Sequence, residues 1–132
     1  MPQGLLYSKT HEWARVEADP AGGKIATVGL TAFALQALTD LVFIDLPAVG
    51  REVKAGQPFG EIESVKAVSD LYSPIDGQIV AVNGEVADNL EHLADDPYEL
   101  GWFIKIKIGN EAGLANLLDE AAYQKQCEEE AH

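Results

Sequence analysis

The sequence predicts a mainly β fold with short helical additions, and three observations carry that reading. Seven segments rich in β-branched and aromatic residues recur at short intervals, turn-forming residues stand between them, and the last segment alternates apolar with charged side chains.

The strands are expected at Trp13–Glu17, Lys24–Leu30, Leu41–Leu46, Gly60–Val65, Ala67–Tyr72, Gln78–Val82 and Trp102–Ile108. Asp19-Pro20 with Gly22-Gly23, Pro47 to Gly50, Ala55-Gly56, Asp76-Gly77 and Asn83-Gly84 supply the turns. In the seventh strand the even-numbered Trp102, Ile104, Ile106 and Ile108 share one face while Lys105 and Lys107 point the other way, so one face is core and the other meets water. Two segments leave the β pattern. Thr31 is placed to cap a short helix over 31–38 that carries Phe33, Leu35, Ala37 and Leu38. From about Glu111, the spacing of Leu114, Leu117, Leu118, Ala121 and Ala122 predicts a helical extension packed outside the β layers and ending at Glu128-Glu129-Glu130.

At 132 residues and 47% hydrophobic, the chain can fill one core, and residues 1–132 are expected to form a single domain. The 22 acidic residues against 9 basic ones leave a formal charge of −13, which disfavours nucleic acid and anionic membranes and favours partners with basic patches. One cysteine, Cys127, allows no internal disulfide. No apolar run reaches the roughly 20 residues of a membrane span, and the start lacks the features of a signal peptide. A cytoplasmic protein of bacterial type, monomeric, is the expectation.

The segment Glu63-Ser64-Val65-Lys66-Ala67-Val68-Ser69-Asp70 is mirrored about its Lys66-Ala67 bond. The symmetry predicts a hairpin that sets Val65 against Val68, Ser64 against Ser69, Glu63 against Asp70 and Ile62 against Leu71. A two-residue turn of lysine and alanine lacks the glycine or asparagine that such turns favour, and facing carboxylates destabilise a strand pair. Lys66 is also the sole Lys or Arg between residues 55 and 104. An isolated lysine is ordinarily a solvated charge. Here the unfavourable turn and facing acids suggest a segment chosen to present one amine, which can form a stable amide with an activated carboxylic acid.

These residues carry a resemblance that extends over almost the whole chain. Glu63-Ser64-Val65-Lys66-Ala67 with Ser69-Asp70 resembles the lipoylation motif of glycine cleavage system H proteins. So do Tyr7-Ser8-Lys9 with His11-Glu12-Trp13, Ala26 to Gly29, Val42 to Pro47, Ser73-Pro74 with Gly77, Asp96-Pro97-Tyr98, and Gly101-Trp102 with Ile104-Lys105-Ile106. The resemblance implies a hammerhead, or barrel-sandwich hybrid, of the biotinyl-lipoyl carrier type, with lipoate attached as an amide to Lys66 at a hairpin tip. It implies no catalytic residue and no metal. Glu63, Ser64, Val65, Ala67, Ser69 and Asp70 become the residues read by the lipoyl-attaching ligase or transferase, and Glu12 and Asp70 polar contacts for the docked arm. The implied partners are a glycine decarboxylase using pyridoxal phosphate, an aminomethyltransferase using tetrahydrofolate and a dihydrolipoyl dehydrogenase using FAD.

The pattern departs from the family at Ala32, Leu35 and Thr39, where polar or glycine residues are usual, and over Asn83–Asn89. Trp13, Tyr98 and Trp102 are expected in the core, and His11 is expected to do no more than hydrogen-bond. A lipoyl domain of a 2-oxoacid dehydrogenase would usually carry aspartate at Val65, and a biotin carrier methionine on both sides of the lysine. A lipoyl relay that donates lipoyl groups to other complexes is the alternative function. A free-standing enzyme fits least, since no nucleophile–base pair or phosphate loop stands out.

Overall fold

A computed structural model describes residues 4–131, so the terminal positions 1–3 and 132 of the expected domain lie outside it. The strands are β1 (Leu6–Tyr7), β2 (Glu12–Ala18), β3 (Lys24–Leu30), β4 (Leu41–Asp45), β5 (Glu52–Val53), β6 (Pro58–Ser64), β7 (Val68–Tyr72), β8 (Gly77–Val82) and β9 (Ile104–Ile108). The helices are α1 (Ala32–Leu38), α2 (Gly84–Asp88), α3 (Glu91–Asp95) and α4 (Glu120–Ala131). All strand pairs are antiparallel and form two sheets, one ordered β1-β2-β3-β9-β8-β5 and the other β4-β6-β7. The arrangement is a sandwich of two sheets with no closed barrel.

The core lies between the sheets. Ala14, Ala26, Val28, Ile79, Ile104 and Ile106 of the larger sheet pack with Ile44, Ile62 and Leu71 of the smaller one. Alternation in β9 places Ile104, Ile106 and Ile108 inside and Lys105 and Lys107 at the surface side, as the sequence predicts. The strand begins two residues later than expected, because Phe103 is as fully buried as Ile104 and the alternation starts only there. Gly29 lies directly across from Trp13, and a Cβ there would stand 2.6 Å from the indole ring. The absent side chain is what lets the ring lie flat over β3, with Trp13 Nε1 donating to the Pro97 carbonyl at 3.1 Å.

A second apolar cluster of Leu5, Tyr7, Trp13 and Tyr123 sits against α4, with Tyr98, Trp102 and Cys127 packed on it. Trp13 is fully buried, and Tyr98 and Trp102 are partly so. The helical extension expected from about 111 is present, in two pieces. Glu111–Asn116 is a 3₁₀ turn, Leu118 then exchanges both backbone hydrogen bonds with Tyr7 at 2.8 and 2.7 Å, and Asp119 starts α4 afresh by accepting the Ala122 amide at 2.8 Å. The extended pairing with β1 outweighs local helical spacing. No helix among the described residues is long and apolar enough to cross a membrane.

Candidate functional site

The hairpin of β6 and β7 is present, but its register differs from the mirrored prediction. Glu63 faces Val68, Ile62 faces Ser69, Glu61 faces Asp70 and Gly60 faces Leu71. The connection is therefore longer than two residues, with Ser64 N–H donating to the Ala67 carbonyl at 2.8 Å. Neither Lys66 nor Ala67 takes a positive φ, which removes the need for glycine at the turn. The Ser64 side chain organises this loop. It is 5% exposed, and its Oγ accepts the amides of Lys66 at 3.3 Å and Ala67 at 3.2 Å. The Val65 amide donates to the Asp40 carbonyl at 3.0 Å, tying the tip to the turn before β4.

Lys66 stands exposed at that tip with exposed Val65, Ala67 and Val68 around it. None of the ion pairs among the described residues involves it. The facing carboxylates expected at Glu63 and Asp70 occur two residues along β6, as Glu61 against Asp70, with Asp45 on β4 opposite Glu61.

Beside the hairpin runs a groove of about 240 Å³ between β7, α1 and the loop before β2. Leu30, Phe33, Ala34, Ala37, Leu38, Ile62 and Leu71 give it an apolar lining, and Asp70 and Glu130 border it. Asp70 is thus on the groove wall. Glu12 is not. It is 1% exposed, and its Oε1 accepts the Ser8 hydroxyl at 2.7 Å and the Thr10 hydroxyl, while Oε2 accepts the Tyr72 amide at 3.2 Å. Burial raises the Glu12 pKa, and the hydrogen bonds from Thr10, Ser8 and Tyr72 oppose that rise. Glu12 and Asp70 are therefore near neighbours of one hairpin, but only Asp70 reaches the groove.

His11 adopts φ 77 and lines the same groove. Its Nδ1 lies 2.8 Å from the Tyr123 hydroxyl, its Nε2 lies 3.0 Å from Glu130, and its ring stacks on Phe33 with centroids 5.3 Å apart. Glu130 itself lies below the usual carboxylate range, through hydrogen bonds from Gln126 and then His11. The sequence reading missed Glu130 as a groove residue, because an acidic helix end gives no sign of what it folds against. A larger cavity of about 690 Å³ opens between β5, β8 and β9, lined by Glu52, Lys54, Asp76 and Lys107 among others, but none of its lining belongs to β6 or β7.

With this geometry in place, the comparisons with known proteins are specific. The family model described as "Glycine cleavage H-protein" matches residues 5–130. The chain is 51% identical over 128 residues to the glycine cleavage system H protein of Rhodopirellula baltica, covering 97% of this chain and 96% of that one. It is 51% identical to the corresponding protein of Klebsiella pneumoniae, with 98% of each covered. Among solved structures it is similar to the crystal structure of a glycine cleavage system H protein from Mycobacterium marinum, with a TM-score of 0.82, 40% identity, and coverage of 96% of this chain and 98% of the other.

Proposed function

The chain belongs to the glycine cleavage H-protein family, and from that premise we propose that it is a non-catalytic carrier bearing lipoate as an amide on Lys66. The observation that supports this most directly is the exposed Lys66 amine on a loop fixed by Ser64 and Asp40, next to an apolar groove. When attached, the lipoyl group supplies a dithiolane that takes an aminomethyl group from the decarboxylase to the aminomethyltransferase and is reoxidised by dihydrolipoyl dehydrogenase.

The residues present fit such a group. An eight-carbon acyl chain ending in a sulfur ring matches the aliphatic and aromatic lining of the groove. Asp70 borders the groove, and its negative charge, like that of Glu130, suits a cationic amine carried at the far end. The walls exclude water from one side of whatever lies there, which protects a hydrolysable thioether. Glu63, Ser64, Val65, Ala67, Ser69 and Asp70 are the residues a lipoyl-attaching enzyme would read, and Ser64 acts there through loop shape because its side chain is buried. Glu12 serves arm docking indirectly, by fixing the backbone of Tyr72. The carrier works in the cytoplasm as one domain.

The experiment is intact-protein mass spectrometry of chain produced in lipoate-replete cells. One lipoyl adduct is expected, absent from Lys66→Ala; an adduct that persists in the variant would refute the assignment. Reconstitution with the decarboxylase, aminomethyltransferase and dehydrogenase should then give glycine-dependent release of carbon dioxide, which a lipoyl relay would not support.

A further inference from the structure

The smaller sheet buries one face in the core and leaves the other bare, and the bare face is organised in rows. Paired residues point to the same side of a sheet, so Phe43, Glu63 and Val68 form one row across β4, β6 and β7, and Asp45, Glu61 and Asp70 form the next. Phe43 is 55% exposed and Val68 55%, while Val42 at the β4 bulge and Val65 beside the lysine are 47% and 65% exposed. Four large apolar side chains thus stand exposed on these strands and their connecting loop, two of them, Val65 and Val68, within two residues of Lys66. None of the ion pairs among the described residues involves Asp45, Glu61, Glu63 or Asp70.

Both features weigh against the folded chain alone. Like charges directly opposite one another destabilise strand pairing, and here three carboxylates stand in line. Exposed apolar side chains clustered with a charged border are the mark of a surface that another molecule covers. We propose that this face of β4, β6 and β7 is the docking surface for the enzyme that acylates Lys66, a proposal that rests on the lipoyl-carrier reading above. The partner presents an apolar ridge that covers Phe43, Val65 and Val68, and beyond it a row of lysine or arginine side chains that meets Asp45, Glu61 and Asp70. Charge complementarity selects this occupant over a second copy of the chain, which would set one acidic row against another. Recognition thereby extends past the segment around Lys66 to β4, some twenty residues earlier in the chain, where Phe43 and Asp45 read out whether the sandwich is folded before the amine is acylated.

The test measures steady-state lipoylation by a lipoate ligase that modifies the wild-type chain, comparing Phe43→Ser, Asp45→Lys and the double variant Asp45→Asn/Glu61→Gln. Val80→Ser serves as the control, since Val80 is 42% exposed on the other sheet. Loss of a central apolar anchor is worth above 1 kcal/mol, so Phe43→Ser should raise KM about tenfold with kcat little changed. Asp45→Lys should raise KM similarly, and the double variant should show a weaker dependence of KM on salt than wild type. The isosteric double variant decides the matter if either single variant folds poorly. Wild-type KM and salt dependence in folded variants would overturn the proposal, as would a Phe43-dependent dimer in size-exclusion chromatography. A wild-type chain that accepts no lipoate at Lys66 would instead defeat the carrier reading itself.

Discussion

Glu12 on β2 accepts the backbone amide of Tyr72 at the end of β7, 3.2 Å away, and so fastens a buried carboxylate of one sheet to the base of the hairpin in the other. The same carboxylate holds the hydroxyls of Ser8 and Thr10. Replacing it with alanine leaves a part-buried amide without an acceptor, and such a loss costs about 1 kcal/mol. Glu12→Ala should unfold at correspondingly lower urea concentration.

The pH dependence of that difference has a definite sign. Burial raises the folded pKa of Glu12 above its unfolded value, so its stabilising contribution is complete below the ordinary glutamate range and is lost as pH rises through the raised value. Relative to Glu12→Gln, the wild-type chain should therefore be most favoured at acid pH. Asp19 behaves oppositely. The hydrogen bond from Lys107, 2.5 Å long, lowers its pKa, so its contribution holds above the ordinary aspartate range and disappears as pH falls through the lowered value. Urea midpoints of Glu12→Gln and Asp19→Asn across the acid range should diverge from wild type in opposite directions.

Ser64→Ala removes the oxygen that accepts two loop amides. The expected cost is about 1 kcal/mol in urea unfolding. The sharper readout is hydrogen exchange, in which the amides of Lys66 and Ala67 should exchange faster while those within β9 keep their wild-type protection.

Thr39 ends α1 with φ 63 and ψ −131, a conformation that glycine adopts freely and a β-branched residue does not. Its side chain is exposed, so little packing is lost on removal. Strain of this kind costs about 1–3 kcal/mol, partly offset by the entropy of an added glycine. Thr39→Gly should raise stability by roughly 1 kcal/mol, seen as a higher urea midpoint with an unchanged slope.

Tyr7 is fully buried and stacks on Tyr123 at 4.4 Å, yet its hydroxyl has no hydrogen-bond partner among the described residues. Burial pushes its pKa up to about 12. Tyr7→Phe keeps the stacking and removes the orphaned group, so the variant should match or exceed wild-type stability at neutral pH. The raised pKa favours the protonated hydroxyl, so wild-type stability falls as pH climbs from the ordinary tyrosine value through about 12. The variant should show a shallower alkaline loss.

Much of this architecture is legible in the residues. The Thr31 cap, the alternation of β9 and the hairpin around Lys66 all follow from local chemistry. The register of that hairpin does not. The mirrored pattern pairs Asp70 with Glu63, whereas the fold pairs it with Glu61. A shift of two residues leaves every side chain on its original face, so burial cannot distinguish the two registers, and the choice falls to Ser64 and to the remote Asp40 carbonyl. β1 and β5, of two residues each, and α2 and α3, of five residues against a helical period of about 3.6, are too short to show their periods and escape sequence reading. The walls of the groove cannot be read from local residue patterns, since they come from segments as far apart as Thr10 and Glu130.

The bond from the Val65 amide to the Asp40 carbonyl has a mechanical consequence. It ties the backbone next to the lysine to the turn before β4, so on the carrier reading proposed above the reach of a group hung from Nζ comes from side-chain and acyl torsions more than from displacement of the loop. An enzyme that served such a carrier would have to bring its own cleft within that radius.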